Sequence, residues 1–149
     1  ALGRQLAQEM AAELRTTSTR TDLVVWIPLH WRRLIARGYN QAERIARPLA
    51  RELGLPAARA LTRTRATPAQ TGLDRERRAV NLRRAFRVRL PARVAGASVL
   101  LVDDVTTTGA TLDAAARALR RAGALEIVAV AAARTPGIDE PSARKLVIW

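Results

Sequence analysis

The chain has 149 residues, about the length of one domain, and 48% of them are hydrophobic, which excludes disorder throughout the chain. It has no cysteine and one histidine, His30; these counts exclude a disulfide scaffold, a thiolate metal site, a cysteine nucleophile and any site that needs two histidines. The formal net charge of +13 favours a polyanionic partner, either nucleic acid or a phosphorylated metabolite.

The first 28 residues predict a helix and then a strand. Apolar side chains recur every four residues over 1–15, which is the spacing of an amphipathic helix: Leu2, Leu6, Met10 and Leu14. Residues 22–27 form a short, β-branched, apolar run that Pro28 closes, and this pattern predicts a buried strand.

A second helix is predicted from residue 40 onwards. Asn40, with Glu43 three residues later, is typical of a helix N-cap, and Gly54 ends the apolar period. Pro48 has no amide hydrogen, so we expect it to kink or shorten this helix.

The middle of the chain is strongly basic. Short apolar stretches at 57–61 and 85–90 predict two strands around a long loop. Residues 59–93 contain eleven Arg against Asp74 and Glu76, a local charge of +9. The alternative interpretation of this run, a solvated face in an arginine-rich protein, stays open at this point.

Residues 98–133 predict a βαβ unit. A buried strand over 98–102 is followed by a helix face built from Leu112, Ala116, Leu119 and Ala122, with Gly123 as its left-handed cap, and by a strand over 126–133. This order requires a parallel pair of strands. We therefore expect an α/β domain with a mainly parallel sheet flanked by helices. The tail, 145–149, is either an edge strand or loose.

The segment between the first strand and the helix of this unit carries the chemistry. Backbone amides and hydroxyls over 107–111, at a helix N-terminus, form a cradle suited to a phosphate. Asp103 and Asp104 would repel a bare phosphate, but carboxylates accept hydrogen bonds from sugar hydroxyls. A 5-phosphorylated ribose combines both requirements.

Residues 99–111, VLLVDDVTTTGAT, resemble the motif of type I phosphoribosyltransferases, which bind 5-phosphoribosyl 1-diphosphate. One position departs from that motif, because Thr106 stands where the pattern usually has an aliphatic residue. The resemblance implies a Rossmann-like type I phosphoribosyltransferase fold and assigns Asp103 and Asp104 as the catalytic pair that binds the ribose hydroxyls. It also implies a loop that binds the 5-phosphate: Thr106, Thr107, Thr108, Gly109, Ala110 and Thr111.

Residues earlier in the chain are similar to the competence protein F (ComF/GntX) branch of this superfamily. They are Pro28, Leu29, His30, Arg33, residues 37–41, Arg63, Arg65, Thr67, Gln70, Leu73, Arg78, Asn81, Ala85 and Phe86. Members of that branch commonly begin with a four-cysteine zinc ribbon, so this chain is expected either to be trimmed or to belong to a subgroup without the ribbon. Its beginning with Ala1 rather than Met also suggests processing.

The resemblance implies a single domain over 1–149, with its core at 23–134, an N-terminal helix and connector at 1–22 and an extension at 135–149. It implies a diphosphate site formed by Leu29, His30, Arg32, Arg33 and Arg37, and a flexible basic loop with Arg63, Arg65, Gln70, Arg78 and Asn81. Mg²⁺ is expected to bind through the diphosphate rather than to a protein cage. A homodimer is favoured.

The function implied is transfer of the phosphoribosyl group to a nucleobase or an amine, with release of diphosphate. The alternative is a non-catalytic ComF-like accessory protein in DNA uptake, which binds nucleic acid or senses phosphoribosyl diphosphate. Single-strand binding also uses stacking aromatics, and the few aromatics here are scattered along the sequence. Trp26 is expected in the core and Trp31 packed in a loop, while His30 is either a solvated loop residue or a diphosphate contact.

The same composition bears on location. The absence of cysteine fits a reducing cytoplasm, where we expect the protein to act. No apolar run approaches the roughly 18 residues that a membrane span requires, and residues 1–10 do not resemble a signal sequence.

Overall fold

The computed structural model describes residues 2–64, 84–106, 108–134 and 147–148. Its strands are β1 (Leu23–Trp26), β2 (Ala57–Ala58), β3 (Leu61–Arg63), β4 (Phe86–Val88), β5 (Ser98–Thr106), β6 (Glu126–Arg134) and β7 (Val147–Ile148). The helices of the same part of the chain are α1 (Leu2–Thr16), α2 (Trp31–Arg37), α3 (Gln41–Leu53), α4 (Pro91–Val94) and α5 (Ala110–Arg121).

The main sheet has the strand order β2-β1-β5-β6-β7. The pairs β1–β2, β1–β5 and β5–β6 are parallel, and β7 adds an antiparallel edge next to β6. A separate antiparallel pair joins β3 to β4. The predicted α/β fold with a mainly parallel sheet is therefore confirmed, and parallel strands place their carboxyl ends at one edge of the sheet.

Each face of the sheet is covered by its own apolar cluster. Alternate residues of β5 belong to opposite clusters, as the period of two in a strand requires: Leu101 packs towards α5 and the β3–β4 pair, and Leu100 packs towards α1 and α3. Trp26 lies in the second cluster with only 2% of its surface exposed, so its predicted place in the core is confirmed. The result is a sheet between two layers, the arrangement that parallel sheets need because both of their faces are buried.

Two of the predicted strands have different bounds in the structure. The stretch 57–61 is divided, because β2 pairs with β1 in the main sheet whereas β3 begins at Leu61 and pairs with β4. The strand predicted at 98–102 continues to Thr106, since β5 stays paired with β6 as far as Thr106 and Arg134. Charged side chains at 103 and 104 hid this extension from a pattern based on hydrophobicity.

The helices agree with the predictions except at α2, α4 and Pro48. No pattern in the sequence predicted α2 between β1 and α3, or the single turn of α4 between β4 and β5. Pro48 does not shorten α3, which runs on for five residues to Leu53 and ends at Gly54 in the left-handed conformation (φ 67°). Within the described ranges, no helix is long and apolar enough to cross a bilayer. The division of the chain into a core and two terminal segments stays a prediction.

Helix α1 contacts α3 at the carbonyl group that Pro48 leaves without a helical donor. Proline has no N–H, so the carbonyl of Arg44 lacks its donor four residues later in the helix. Gly3 of α1 lies against this carbonyl, and a Cβ placed on Gly3 would be 3.0 Å from its oxygen. The absence of a side chain at residue 3 therefore lets α1 pack close to the oxygen that Pro48 leaves without a helical partner.

We expect Gly3→Ala to lower the free energy of unfolding by about 1 kcal/mol, because the added methyl group would push α1 away from α3. In a helix without this contact the same change raises stability by about 1 kcal/mol. Urea unfolding measures the effect, with Gln8→Ala on the exposed side of α1 as the control. A gain in stability for Gly3→Ala would show that the two helices do not pack tightly here.

Candidate functional site

The extended end of β5 carries the acidic pair. Because side chains alternate along a strand, Asp103 follows Leu101 on one face of the sheet and Asp104 follows Val102 on the other. Asp103 is only 7% exposed and Asp104 is half-buried. Both carboxyl groups line the same cleft at the carboxyl edge of the sheet.

Asp103 has an unusual electrostatic environment. Its Oδ1 accepts a hydrogen bond from the backbone amide of Asp104 at 2.8 Å. Burial and, to a smaller extent, the neighbouring carboxyl of Asp104 raise the pKa of Asp103 to about 8, although the guanidinium of Arg63 opposes the rise. Asp103 therefore carries a proton at neutral pH in the ligand-free protein. A carboxyl group perturbed in this way, inside a cleft, is typical of a functional site.

Three arginines face the acidic pair across the cleft. Arg33 and Arg37 come from α2, and Arg63 comes from the end of β3. Burial lowers the pKa of Arg63, and the positive charge of Arg33 lowers it further, while Asp103 opposes that change. The guanidinium of Arg63 lies 5.5 Å from the centre of the Phe86 ring, which helps to fix its direction.

The cleft has a volume of ≈ 210 Å³ and brings together residues far apart in the sequence. Its lining is Ile27, Leu29, Arg33, Arg37, Asn40, Gln41, Arg63, Asp103, Asp104, Val105 and Thr111. Seven of the predicted site residues are in this set: Leu29, Arg33, Arg37, Arg63, Asp103, Asp104 and Thr111. A polar cleft lined by two acidic residues and three arginines suits a ligand that has both hydroxyl groups and negative charge.

The loop between β5 and α5 is held by its own threonines. The amide of Gly109 donates to Thr106 Oγ1 at 3.0 Å, and the amide of Ala110 donates to Thr108 Oγ1 at 3.3 Å. Gly109 has a φ of 80°, a conformation that favours glycine. Two amides of the predicted phosphate cradle are thus bound to hydroxyls of the loop in this structure, and a phosphate must take them over.

The same contacts give a reason for Thr106. It is buried, with 6% of its surface exposed, and its hydroxyl fixes the turn through Gly109. An aliphatic side chain, which the resembling motif usually has here, could not accept that hydrogen bond. Thr106 therefore supports the loop from inside.

Three of the predicted diphosphate residues, Arg32, Arg33 and Arg37, lie on α2 rather than in a loop. His30 is buried, and its Nδ1 accepts from the amide of Arg32 at 3.3 Å, so it caps α2 and is not a solvated histidine. Among the described residues that line the cleft, neither His30 nor Arg32 is present. Trp31 is 58% exposed, so the expectation that it packs in a loop is wrong.

Five predicted residues lie outside the described part of the chain: Arg65, Gln70, Arg78, Asn81 and Thr107. Their assignments stay predictions.

The sequence interpretation missed two groups of residues. Asn40 was expected only as a helix cap. Its Oδ1 does accept from Ala42 N, but its Nδ2 also donates to the carbonyl of Ile27 at 3.0 Å and so connects α3 to the end of β1.

A second cleft of ≈ 400 Å³ adjoins the first and shares Asp104 with it. It is mostly apolar and is lined by Gln5, Leu6, Glu9, Gln41, Ile45, Asp104, Val105, Ala132 and Ala133.

The acidic pair offers oxygen ligands of the kind that Mg²⁺ prefers, in a cleft that both residues line. Asp103 would coordinate the ion in its ionised form, so a bound Mg²⁺ would lower the raised pKa of this group. Within the described ranges no group of three or more His, Cys, Asp or Glu side chains could hold a metal ion. The residues thus fit an ion that takes one or two ligands from the protein and the others from substrate and water.

A family model of the phosphoribosyl transferase domain matches residues 39–147, a range that includes β5, the acidic pair and the loop that follows. The chain belongs to this family. The resemblance noted in the sequence is therefore confirmed, and the polar cleft described above belongs to a phosphoribosyl transferase domain.

Relatives of this phosphoribosyl transferase domain include the DNA utilization protein YhgH of Escherichia coli strain K12. The two are 42% identical over 129 residues, 85% of this chain and 56% of that protein. Competence protein F of Haemophilus influenzae is 37% identical over 112 residues, 71% of this chain and 47% of that protein. The chain spans about half the length of these relatives, and they agree with the ComF-like branch that the sequence suggested.

The fold of the domain is also found in solved structures. Adenine phosphoribosyltransferase from Thermoanaerobacter pseudethanolicus superimposes with a TM-score of 0.57 at 20% identity, over 87% of this chain and 67% of that one. At this level of identity the likeness concerns the fold alone, and it confirms the type I phosphoribosyltransferase architecture.

The raised pKa of Asp103 predicts a pH-dependent stability. The pKa of Asp103 is about 8 in the folded state and about 4 in the unfolded state. Between about pH 4 and about pH 8, folding is therefore coupled to the uptake of a proton. The contribution of Asp103 to stability should be greatest below about pH 4, fall as the pH rises from about 4 to about 8, and stay constant above that. Asp103→Asn removes this decline, and the variant should be more stable than the parent at about pH 9 but not at about pH 4.

Thermal unfolding across this range, without divalent cations, measures the difference. Asp113→Asn is the control, because Asp113 lies on the exposed side of α5 in an ion pair with Arg117. Parallel pH profiles for the parent and Asp103→Asn would contradict the buried, protonated carboxyl group.

Proposed function

We propose that this domain binds 5-phosphoribosyl 1-diphosphate in the polar cleft and transfers its phosphoribosyl group to a nucleobase or amine acceptor, with release of diphosphate. The observation that carries the proposal is the arrangement of charges in the cleft. Asp103 and Asp104 line the cleft together with arginines from α2 and β3. We call the two carboxyl groups the acidic wall and the arginines the basic wall. Family membership supports the same ligand class.

The acidic wall suits the ribose. Asp104 offers carboxylate oxygens, which accept hydrogen bonds, while the protonated carboxyl of Asp103 offers one O–H donor and an acceptor oxygen. Two neighbouring sugar hydroxyls each donate and accept. The pair thus binds a diol without placing two full negative charges beside the ligand's phosphates.

The basic wall suits the diphosphate. Arg33 and Arg37 are four residues apart on α2, so they lie on the same side of that helix. Guanidinium groups bind phosphate oxygens through paired N–H donors. When the bond between the anomeric carbon and diphosphate breaks, its electron pair leaves with the diphosphate, and these cations stabilise the charge that develops there.

The 5-phosphate is assigned to the N-terminus of α5, which is 12 residues long. Its helix dipole and first amides favour an anion. The amides of Gly109 and Ala110 would exchange their threonine acceptors for phosphate oxygens. The longer of these two hydrogen bonds, from Ala110, is the easier to replace.

Mg²⁺ bound to the diphosphate would neutralise part of the charge on the leaving group. Asp103 and Asp104 are the residues that could contribute ligands to it. The cation-rich wall and the carboxyl pair position the sugar between them, so that the anomeric carbon faces outward for attack by the acceptor nitrogen.

The acceptor is assigned to the second cleft, because it adjoins the first at Asp104 and is mostly apolar. A planar ring fits apolar walls with a few polar groups. Gln5 and Glu9 of α1, joined by a 3.4 Å hydrogen bond, supply those polar groups. The names of the relatives suggest that the reaction serves DNA handling in the cell.

We expect Asp104→Asn to weaken binding of phosphoribosyl diphosphate in the presence of Mg²⁺ by about tenfold or more, since hydrogen bonds to a charged group are worth about 1.5–3 kcal/mol. Isothermal titration calorimetry measures this change. Asp113→Asn, which removes the same charge from the far side of α5, should bind as the parent does. Equal affinities for the parent and Asp104→Asn would rule out the acidic wall as the ribose site.

Turnover is tested by diphosphate release across a panel of nucleobases and amines. Release with one class of acceptor is expected, and Glu9→Gln should raise the KM for that acceptor more than it lowers kcat, because Glu9 lines only the second cleft. If no acceptor supports release although phosphoribosyl diphosphate binds, the domain senses this ligand rather than turning it over.

A further inference from the structure

Helix α2 is unusually exposed. None of the residues from Trp31 to Arg37 is buried, and the large apolar side chains of Trp31 and Ile35 are 58% and 75% exposed. The helix is held at its ends instead, by the His30 cap and by Gly38, whose amide donates to Leu34 O. Packing therefore does not explain a tryptophan and an isoleucine at these positions, and exposed apolar groups in one place mark an interaction surface.

The exposed rings are accompanied by arginines. The guanidinium of Arg32 lies 5.3 Å from the centre of the Trp31 ring, and that of Arg44 lies 5.0 Å from the centre of the Tyr39 ring. Tyr39 is 46% exposed and directly follows the cap of α2. No acidic residue occurs in the sequence between Asp22 and Glu43, so the segment with Trp31, Arg32, Ile35 and Tyr39 carries positive charge alone.

The two sides of α2 have different roles. Residues that are four apart share a side of a helix, which groups Arg33 with Arg37 and Trp31 with Ile35. The first pair lines the polar cleft, whereas neither member of the second pair is among the described residues that line it. The outer side of α2 can thus bind a partner while the inner side binds a ligand in the cleft.

We propose that this outer surface, formed by Trp31, Arg32, Ile35, Tyr39 and Arg44, binds single-stranded DNA. Bases stack on exposed aromatic rings, and the arginines neutralise the phosphates. Stacking needs bases that are free on one face, which a duplex does not offer. Uniform positive charge beside the rings favours a polyanion over a protein partner. The proposal does not depend on what the polar cleft binds.

Fluorescence anisotropy with labelled oligodeoxythymidine, titrated at several salt concentrations, tests the proposal. Trp31→Ala should weaken binding by about tenfold, the effect of losing one stacked base. Arg32→Gln should weaken it and lower the slope of log affinity against log salt by about 0.7, the value of one phosphate contact on a single strand. Since both side chains are exposed, neither change disturbs the core.

Matched controls come from other faces of the domain. Leu125→Ala removes an apolar group that is 76% exposed, and Arg120→Gln removes a charge from the exposed side of α5. Both controls should bind as the parent does. If Arg120→Gln weakens binding as much as Arg32→Gln, the DNA is held by diffuse charge and the proposed surface is wrong.

Three further outcomes would overturn the proposal. They are unchanged affinity in Trp31→Ala, tighter binding of oligouridine or duplex DNA than of oligodeoxythymidine, and a dimer without DNA that Trp31→Ala dissociates in sedimentation, which would make this surface an interface between copies. Calorimetry with phosphoribosyl diphosphate should give the same result for Trp31→Ala and the parent. Failure at this surface is therefore distinguishable from failure of the function proposed for the cleft.

Discussion

The burial of one carboxyl group, that of Asp103, at the carboxyl end of β5 is the constraint on which the site depends. Pairing of β5 with β6 continues past the apolar core as far as Thr106, and this pairing holds Asp103 in a place that is only 7% exposed. The cost of desolvating a charge there keeps the group protonated at neutral pH. Arg63 reduces this cost from the other side of the cleft. The fold therefore brings a buried carboxyl group and the arginines of α2 and β3 into one cleft.

Helix α2 connects the two surfaces for which we propose functions. Its inner side places Arg33 and Arg37 in the polar cleft, and its outer side presents Trp31 and Ile35 to solvent. Since its seven residues are held by caps at both ends and none of them is buried, little core energy opposes a shift of the helix. A partner on the outer side and a ligand in the cleft would both act on this one helix, which gives a physical route for each to affect the other.

In the loop after β5, the hydrogen bonds of the backbone amides differ from those that the family motif implies. Residues 103–111 resemble the family pattern, yet Thr106 and Thr108 bind amides that the pattern assigns to phosphate. Those hydrogen bonds satisfy the start of α5 in the ligand-free state, as an N-terminal turn requires. Under the function that we propose, a phosphate would replace these threonine acceptors, so the gain for each amide would be smaller than in a loop whose amides are not already hydrogen-bonded.

The sequence by itself determined most elements of the parallel sheet, the helices α1, α3 and α5, and the acidic motif, because apolar period, caps and motif spacing are local properties of the chain. It missed α2, whose exposed residues follow no apolar period, and it ended β5 too early at the first charged residue. Only the tertiary structure decided that Arg63 lies near Asp103, that burial raises the pKa of Asp103, and that Trp31 and Tyr39 are exposed. These properties depend on neighbours distant in sequence and on the loss of water around them, which no local pattern records.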